Sequence, residues 1–292
     1  MRSVGRVGFR LRLVSERPSF WAVVLLVGIG LGAAASLVSG AVDLPVRDLW
    51  SSLVDAGHPL HGLVVDVRLP RLLAAALVGA SLATSGAVMQ TAVRNSLADP
   101  ALLGVSAGAG IGALIAILFF PATTTLVPAF AFAGAFFAVG CVLGASVFGG
   151  LMASPLRIVL SGVALQAIFF SVISLLVFFF AERAPAFVAF TVGSLASAGW
   201  HEVQLAAGPI LVGLALAAAT IRWLDVLLLD DDSAWSVGLP VGTVRVVVCT
   251  IAALLAASAV TVAGLIGFVG LVVPNAFRLM VGPHHARLLP LA

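Results

Sequence analysis

The sequence predicts an all-α integral membrane protein, a polytopic helical bundle with eight complete spans and the start of a ninth. Three observations support this fold class. The chain of 292 residues is 62% hydrophobic and only 9% charged, a composition far from that of soluble domains. Its mean hydropathy is +1.21. Its apolar stretches are each close to the roughly 20 residues that a helix needs to cross a bilayer.

The predicted spans follow one another through most of the chain. Residues 1–19 contain five arginines and little apolar content, so we interpret them as a cytoplasmic lead, and residues 20–292 as the transmembrane domain. The spans are expected at about residues 20–42, 71–91, 102–120, 129–151, 157–180, 205–224, 244–262 and 264–281. A cleaved signal peptide is the alternative for the first span, but this apolar run is longer than the core of a signal peptide.

The distribution of arginine predicts the orientation of the bundle. All 15 basic residues are arginine. With the N terminus inside, four of them lie outside, namely Arg47, Arg68, Arg71 and Arg183, and the other 11 face the cytoplasm. This excess is the bias that cytoplasmic loops show, so we predict a multi-pass protein of the cytoplasmic (inner) membrane with a cytoplasmic N terminus. Basic residues this scattered do not indicate a nucleic-acid partner.

The sequence contains no catalytic or nucleotide-binding motif. Without lysine it has no G-x-x-x-x-G-K-[ST] loop to hold the phosphates of ATP. Cys141 and Cys249 lack metal-ligand spacing and are expected to be buried thiols, and the pair His284-His285 is expected to be solvated in a loop. No ionisable residue falls in the middle of a predicted span, where ion-coupled carriers commonly place one. We therefore expect a transport subunit with no catalytic residue, cofactor or metal, powered by another protein.

Two alternatives remain at this point. An ion-coupled secondary transporter or a channel would supply its own driving force, and would need an intramembrane acid or a pair of discontinuous helices. A membrane enzyme would need clustered polar residues at one depth. The sequence favours neither of them.

Regularly spaced glycines mark two of the predicted spans. Small residues let helices approach each other closely in lipid, where burying leucine against leucine gains little. We predict helix packing at Gly104, Gly108 and Gly112 in the third span, and at Gly264, Gly267 and Gly270 in the eighth.

Residues 68–112 contain four motifs in a fixed order. They read R-L-P-R from residue 68, G-A-S-L-A-T-S-G-A-V-M-Q from 79, R-N-S-L-A-D-P from 94 and L-G-V-S-A-G-A from 103. A fifth motif, G-L-I-G-F-V-G-L-V-V-P-N, begins at residue 264. Together they resemble the FecCD-type permease family of bacterial ABC importers for ferric siderophores, haem and cobalamin. The chain departs from the family pattern at Ser96, where proline is usual, and at Asn275, where histidine is usual.

The resemblance implies a permease that carries an iron chelate, with a ferric siderophore as the first candidate and haem or cobalamin as the others. Members of the family have ten spans, so it also implies that the last two helices are missing from this chain. The implied partners are an ATP-binding subunit that holds the ATP, a substrate-binding protein, a second permease copy or paralogue, and membrane lipid.

Arg68 and Arg71 are predicted to lie at the external mouth of the second span. Arginines at a membrane interface often contact lipid phosphates, which is the structural alternative. The resemblance implies that these two receive carboxylates of the substrate-binding protein, a task for which the planar guanidinium is suited because it donates two parallel hydrogen bonds. We predict docking.

Residues 230–239 form an acidic turn followed by serine, a pattern typical of a helix N-cap. The resemblance implies that this is a short cytoplasmic helix that lies in a groove of the ATPase subunit. Trp235, a large aromatic residue in a cytoplasmic loop, is predicted to be an interface anchor, with a tryptophan at the lipid interface as the alternative. The predicted coupling residues are Asp230, Asp231, Asp232, Ser233, Ala234, Trp235, Ser236, Val237 and Gly238.

Overall fold

The computed structural model describes residues 18–40, 45–123, 125–147 and 154–291. Within these ranges the chain forms helices and no β-strand. The α-helices are α1 Pro18–Val38, α2 Val46–Val54, α3 Leu69–Ala92, α4 Val105–Phe119, α5 Leu126–Val147, α6 Pro155–Phe179, α7 Ala184–Val192, α8 Trp200–Ala219, α9 Ile221–Leu227, α10 Asp231–Ser236, α11 Val241–Ala263, α12 Val269–Val281 and α13 His285–Leu288. A π-helical turn, Leu63–Arg68, continues into α3, and 3-10 turns at Pro100–Leu103 and Ala181–Arg183 precede α4 and α7. Of the predicted lead 1–19, residues 1–17 lie outside the described ranges and the last two begin α1.

Six of the described helical segments are long and apolar enough to cross a membrane. They are Phe20–Val38, Leu63–Ala92, Leu126–Val147, Pro155–Phe179, Trp200–Ala219 and Val241–Ala263. The all-helical membrane architecture is therefore confirmed, whereas the predicted count of eight complete spans is not. Helices α4 and α12 are apolar but have only 15 and 13 residues, and the predicted start of a ninth span is the four-residue α13.

Backbone conformations at their N-terminal ends explain why α4 and α12 are short. Gly104, which was predicted to lie inside a span, adopts a φ of 77° between the 3-10 turn and α4. Before α12, Gly264 has a φ of 68° and Phe268 a φ of 69°. A residue with positive φ cannot continue a right-handed helix, so residues 264–268 lie outside it.

Helices α3 and α11 form the centre of the bundle. Every residue of α3 from Ser81 to Ala92 is buried, whereas α1 has no buried residue among those described. The Ser81 hydroxyl donates a hydrogen bond to the carbonyl of Leu255 at 2.8 Å, and Ser85 donates to Ala252. Such interhelical bonds satisfy polar groups that have no water to bind, so α3 and α11 are joined by hydrogen bonds as well as by packing.

Close backbone contact between helices depends on some of the predicted glycines. A Cβ atom on Gly108 would meet the carbonyl of Gly134 and, at 2.6 Å, the methyl group of Ala138. A Cβ on Gly112 would overlap the carbonyl of Phe130, so α4 and α5 touch backbone to backbone. On the other side of the bundle, a Cβ on Gly270 of α12 would lie 3.0 Å from the carbonyl of Leu82 in α3.

The other predicted packing glycines need correction. Gly104 belongs to a turn, and a Cβ there would make only an ordinary contact, 3.5 Å from Ala138. Gly264 follows the end of α11 and packs close to the last turn of α7, where a Cβ would lie 2.5 Å from the carbonyl of Phe190. Gly267 has no atom within 4 Å of its Cβ position, because residues 264–268 do not form the expected helix. Within the described residues of this chain, Gly267 therefore packs against no other helix.

Candidate functional site

Two ends of the bundle carry most of the described polar contacts. We call the end formed by residues 91–98, 225–239 and 283–290 the α10 end, which the sequence predicts to face the cytoplasm. The end formed by residues 37–40, 65–72 and 193–200 is the Arg71 end.

Helix α10 begins at a side-chain cap. The carboxylate of Asp230 accepts a hydrogen bond from the backbone amide of Ser233 at 3.2 Å. Hydrogen bonds from the side chain and then the backbone of Ser233 hold the pKa of Asp230 below its ordinary value. The cap fixes where the helix starts, as the acidic pattern predicts. Gly238, with a φ of 86°, follows its end.

Asp231 joins α10 to the bundle through two arginines. Its Oδ1 lies 2.7 Å from a guanidinium nitrogen of Arg94 and 2.9 Å from one of Arg245. The Arg245 side chain is only 2% exposed, and its Nε donates to the carbonyl of Ala92 at 2.8 Å. A buried cation needs both a counter-charge and hydrogen-bond acceptors, and α10 and the end of α3 supply them.

Arg94 makes two further contacts along the same connection. Its Nε donates to the carbonyl of Leu227 at 3.3 Å, and its Nη2 donates to the carbonyl of Leu229. Its own backbone has a φ of 51°, which non-glycine residues rarely adopt. The sequence shows Arg94 only as part of a motif and as one of the arginines on the cytoplasmic side.

The predicted coupling residues divide into two groups. Asp231 and the fully buried Ala234 face the bundle. Trp235 and Val237 are 66% and 69% exposed, and the rest of the exposed set is Asp230, Asp232, Ser233, Ser236 and Gly238. A cavity of about 220 Å³ opens beside Trp235, between α10, the start of α11 and Ser154. The segment therefore presents Trp235, Asp230 and Asp232 outward, while Asp231 is held inward by its arginine partners.

His285 is buried at the same end, contrary to the expected solvated pair. Its Nδ1 lies 2.8 Å from Oδ1 of Asp225, and its Nε2 lies 2.8 Å from the hydroxyl of Thr91. Burial lowers the pKa of His285, and the neighbouring Asp225 acts in the opposite direction. The histidine thus links α13, α9 and α3 through hydrogen bonds. No metal-binding cluster of three or more His, Cys, Asp or Glu side chains occurs in the described ranges.

At the Arg71 end, Arg68 is buried, which its predicted place at the mouth of the span does not indicate. It is 8% exposed, and Nη1 donates to the carbonyls of Leu37 and Val38 at the end of α1, the latter at 3.0 Å. The reason is that helix-terminal carbonyls lack intrahelical donors, and Arg68 supplies them. Arg71 is partly exposed and donates to the carbonyl of Ala196.

Asp99 is a residue whose position the sequence does not reveal. The turn after α3 runs back along the bundle, and Pro100 packs against Gly270 and hence beside Leu82 of α3. Leu82 is ten residues from the end of α3, or about 15 Å at 1.5 Å per residue. The Asp99 carboxylate accepts from the amide of Ala101 at 2.8 Å and lines a small cavity there. The polar sequence R-N-S-L-A-D-P is typical of a turn at the surface, so the sequence does not indicate that Asp99 lies within the bundle.

Comparison with known proteins places these features in a family. The sequence model of the FecCD transport family matches residues 24–292. The chain is 37% identical to the cobalamin import system permease protein BtuC of Halobacterium salinarum, over 89% of this chain and 71% of the relative. It is 36% identical to the iron(3+)-hydroxamate import system permease protein FhuB of Bacillus subtilis, over 92% and 71% respectively. A solved metal-chelate type ABC transporter in an inward-facing conformation aligns with a TM-score of 0.83 and 29% identity, covering 94% of this chain and 85% of that one.

Proposed function

The chain belongs to the FecCD transport family, and from that membership we propose that it is the transmembrane permease subunit of a binding-protein-dependent ABC importer for iron chelates. A ferric siderophore is the first candidate for the cargo, since an iron(3+)-hydroxamate permease is among its relatives. Haem and cobalamin are the other candidates, because relatives named for hemin and cobalamin transport are similarly close. Energy comes from ATP bound by a separate subunit.

The observation that carries this proposal is that α10 is exposed at Trp235 and tied to the bundle at Asp231. Trp235 is exposed beside a cavity, as an anchor for a partner protein would be. Asp231, one turn earlier on the same face, lines the same cavity and pairs with Arg94, after α3, and with Arg245 of α11. A partner that binds at Trp235 therefore acts on the central helices. We assign the coupling role to residues 230–238, with the exposed members in contact with the ATPase subunit on the cytoplasmic face. The N terminus then lies in the cytoplasm, as the distribution of arginine predicts, and the membrane is the inner one.

At the Arg71 end we propose the docking site of the substrate-binding protein. Arg71 is partly exposed, and a guanidinium suits an incoming carboxylate because it donates two parallel hydrogen bonds. Arg68 acts beside it by holding the end of α1, rather than by contacting the binding protein.

We propose that two permease copies, or this chain and a paralogue, enclose the path of the chelate. Helix α6 is apolar and little buried within this single chain, with Leu156, Phe170 and Phe178 exposed. Lipid and the second copy would cover such a surface. ATP binding would then tilt the central helices between outward-open and inward-open states.

Uptake into proteoliposomes tests the proposal. The permease is reconstituted with its ATP-binding subunit and substrate-binding protein, and uptake of a ferric hydroxamate, haem and cobalamin is measured separately with ATP inside. We expect uptake of one of these cargoes that disappears when the ATPase subunit carries an inactivating substitution of its phosphate-binding lysine. Uptake driven by an ion gradient without the ATPase subunit would contradict the proposal and favour an ion-coupled carrier.

A further inference from the structure

Arg94, in the turn that follows α3, makes polar contacts with the end of α9, with the connection to α10 and with α10 itself. Its guanidinium donates to the carbonyls of Leu227 and Leu229 and pairs with Asp231. The two carbonyl oxygens and the carboxylate thus all bind the same planar guanidinium group. Because the five donors of a guanidinium have a fixed geometry, these contacts fix the position of the segment relative to α3 and not merely its distance.

The connection continues into the core through Asp231 and Arg245. Arg245 lies near the start of α11, pairs with Asp231 and donates to the carbonyl of Ala92 in the last turn of α3. Of the two arginines that pair with Asp231, Arg94 directly follows α3, and Arg245 belongs to α11 and is hydrogen-bonded to the last turn of α3. A displacement of α10 acts on both central helices at their ends.

Helices α3 and α11 are themselves linked along their length. The hydroxyls of Ser81 and Ser85 donate to carbonyls of α11 about one turn apart. At the far end, the last residue of α11 meets the segment after α7, where the amide of Ser194 donates to the carbonyl of Ala263 at 2.8 Å. A shift of the α3–α11 pair is thereby carried to residues 193–198 and 264–268.

We infer that Arg94 is the positioning residue that transmits movement of α10 to the α3–α11 pair and so to the Arg71 end of the bundle. This inference rests on the proposed function, since it assumes that an ATPase subunit moves α10. It assigns no contact with that subunit to Arg94, because its guanidinium is engaged by Asp231 and by the carbonyls of Leu227 and Leu229. The expected consequence is that loss of the guanidinium separates ATPase binding from movement of the bundle.

Hydrogen–deuterium exchange tests this without knowledge of the cargo. The permease–ATPase complex is compared without nucleotide and after trapping with ATP and vanadate, for the wild type, Arg94→Gln, Arg94→Lys and Arg222→Gln. Arg222 is the matched control, an exposed arginine of α9 whose side chain makes no hydrogen bond or ion pair with any described residue. The readouts are the amount of ATPase subunit that copurifies and the nucleotide-dependent change in exchange of residues 193–198 and 264–268.

We expect the wild type and Arg222→Gln to bind the ATPase subunit and to show the exchange change. Arg94→Gln should bind the subunit while the exchange change falls at least about fivefold, the lower end of typical coupling between sites. Arg94→Lys keeps the charge opposite Asp231 but cannot reach both carbonyls, so it should fold, bind and show an intermediate change. It also serves as the test if Arg94→Gln does not fold.

The outcomes separate the two proposals. Failure of the wild-type chain to bind the ATPase subunit would overturn the proposed function, and this inference with it. A full exchange change in Arg94→Gln, or in Arg94→Lys if only that variant folds, would overturn the inference and leave the proposed function standing. Loss of ATPase binding in Arg94→Gln, with the variant folded, would make Arg94 a docking residue and would equally overturn the inference.

Discussion

Arg245 and Asp231 form an ion pair, 2.9 Å between Nη2 and Oδ1, in which the arginine side chain is 2% exposed and the carboxylate 45%. The buried cation is thus neutralised by a residue from the segment proposed to contact another protein. Because the arginine is buried, loss of the carboxylate would leave an uncompensated charge in the interior, whereas the carboxylate without the arginine would still be partly solvated. Any contact that displaces α10 also changes the electrostatic environment of α11.

Asp231→Asn should destabilise the folded permease because it leaves Arg245 without its full counter-charge. Loss of one member of a buried pair costs about 3–5 kcal/mol, and partial exposure of the carboxylate reduces this to about 1–3 kcal/mol. Thermal unfolding of the detergent-solubilised protein measures the effect. The control is Asp232→Asn, which removes an exposed neighbouring carboxylate and should have little effect. Equal shifts for the two variants would contradict the importance of the ion pair.

Trp235→Ala should weaken binding of the ATPase subunit, since it removes a large aromatic group that is 66% exposed. Loss of an interface anchor typically costs at least about 2 kcal/mol, or roughly 30-fold in Kd. Titration of the ATPase subunit against labelled permease in nanodiscs gives the Kd. Trp50→Ala is the control, because Trp50 is 76% exposed on α2, away from α10. An unchanged Kd for Trp235→Ala would remove α10 from the proposed interface.

Arg71→Gln should weaken docking of the substrate-binding protein by about tenfold, because a charge-assisted hydrogen bond to a carboxylate is lost. The affinity of the wild type should also fall more steeply with salt than that of the variant. Surface plasmon resonance at two salt concentrations measures both effects. The comparison variant is Arg183→Gln, an exposed arginine in the loop after α6. Similar losses for both arginines would indicate general electrostatic attraction and not a defined site.

The stability of the protein should decrease as the pH falls below about 6.5, the ordinary pKa of histidine. Burial lowers the pKa of His285 in the folded protein, so the unfolded state binds more protons between the two pKa values. The stability that the neutral His285 contributes is therefore complete above the pKa that it has in the unfolded state. It is lost as the pH falls towards the lower pKa that it has in the folded state. The melting temperature from pH 8 to pH 5 measures it, and His285→Gln should flatten this part of the profile.

The matched control for this pH dependence is His201→Gln, which removes an exposed histidine of α8. That variant should keep the wild-type profile. If His285→Gln retains the same loss of stability on acidification, other groups account for it.

Much of the fold was predictable because long apolar runs and the loops between them are local properties of the sequence. The central helices α3 and α11 coincide closely with the predicted spans 71–91 and 244–262. The short α4 and α12 were not predicted, since a single residue with positive φ, such as Phe268, decides where the helix begins. The hydropathy of a sequence carries no information about the φ angle of an individual residue.

The candidate site was predictable in its location but not in its connections. The acidic turn and Trp235 identify α10 from the sequence alone. The partners of Asp231, however, are Arg94 and Arg245, and the first lies far away in the chain. Arg68 was expected to face outward because it stands at the end of a span, and only the neighbouring α1 shows that its guanidinium turns inward.

The contact between Arg68 and the last turn of α1 has a consequence for biogenesis. The residue that completes the final hydrogen bonds of α1 follows Val38 by 30 residues in the chain. The terminal carbonyls at Leu37 and Val38 must be satisfied by water or lipid headgroups until Arg68 is in place. The last turn of the first helix therefore gains its native partner only when the second helix has inserted beside it.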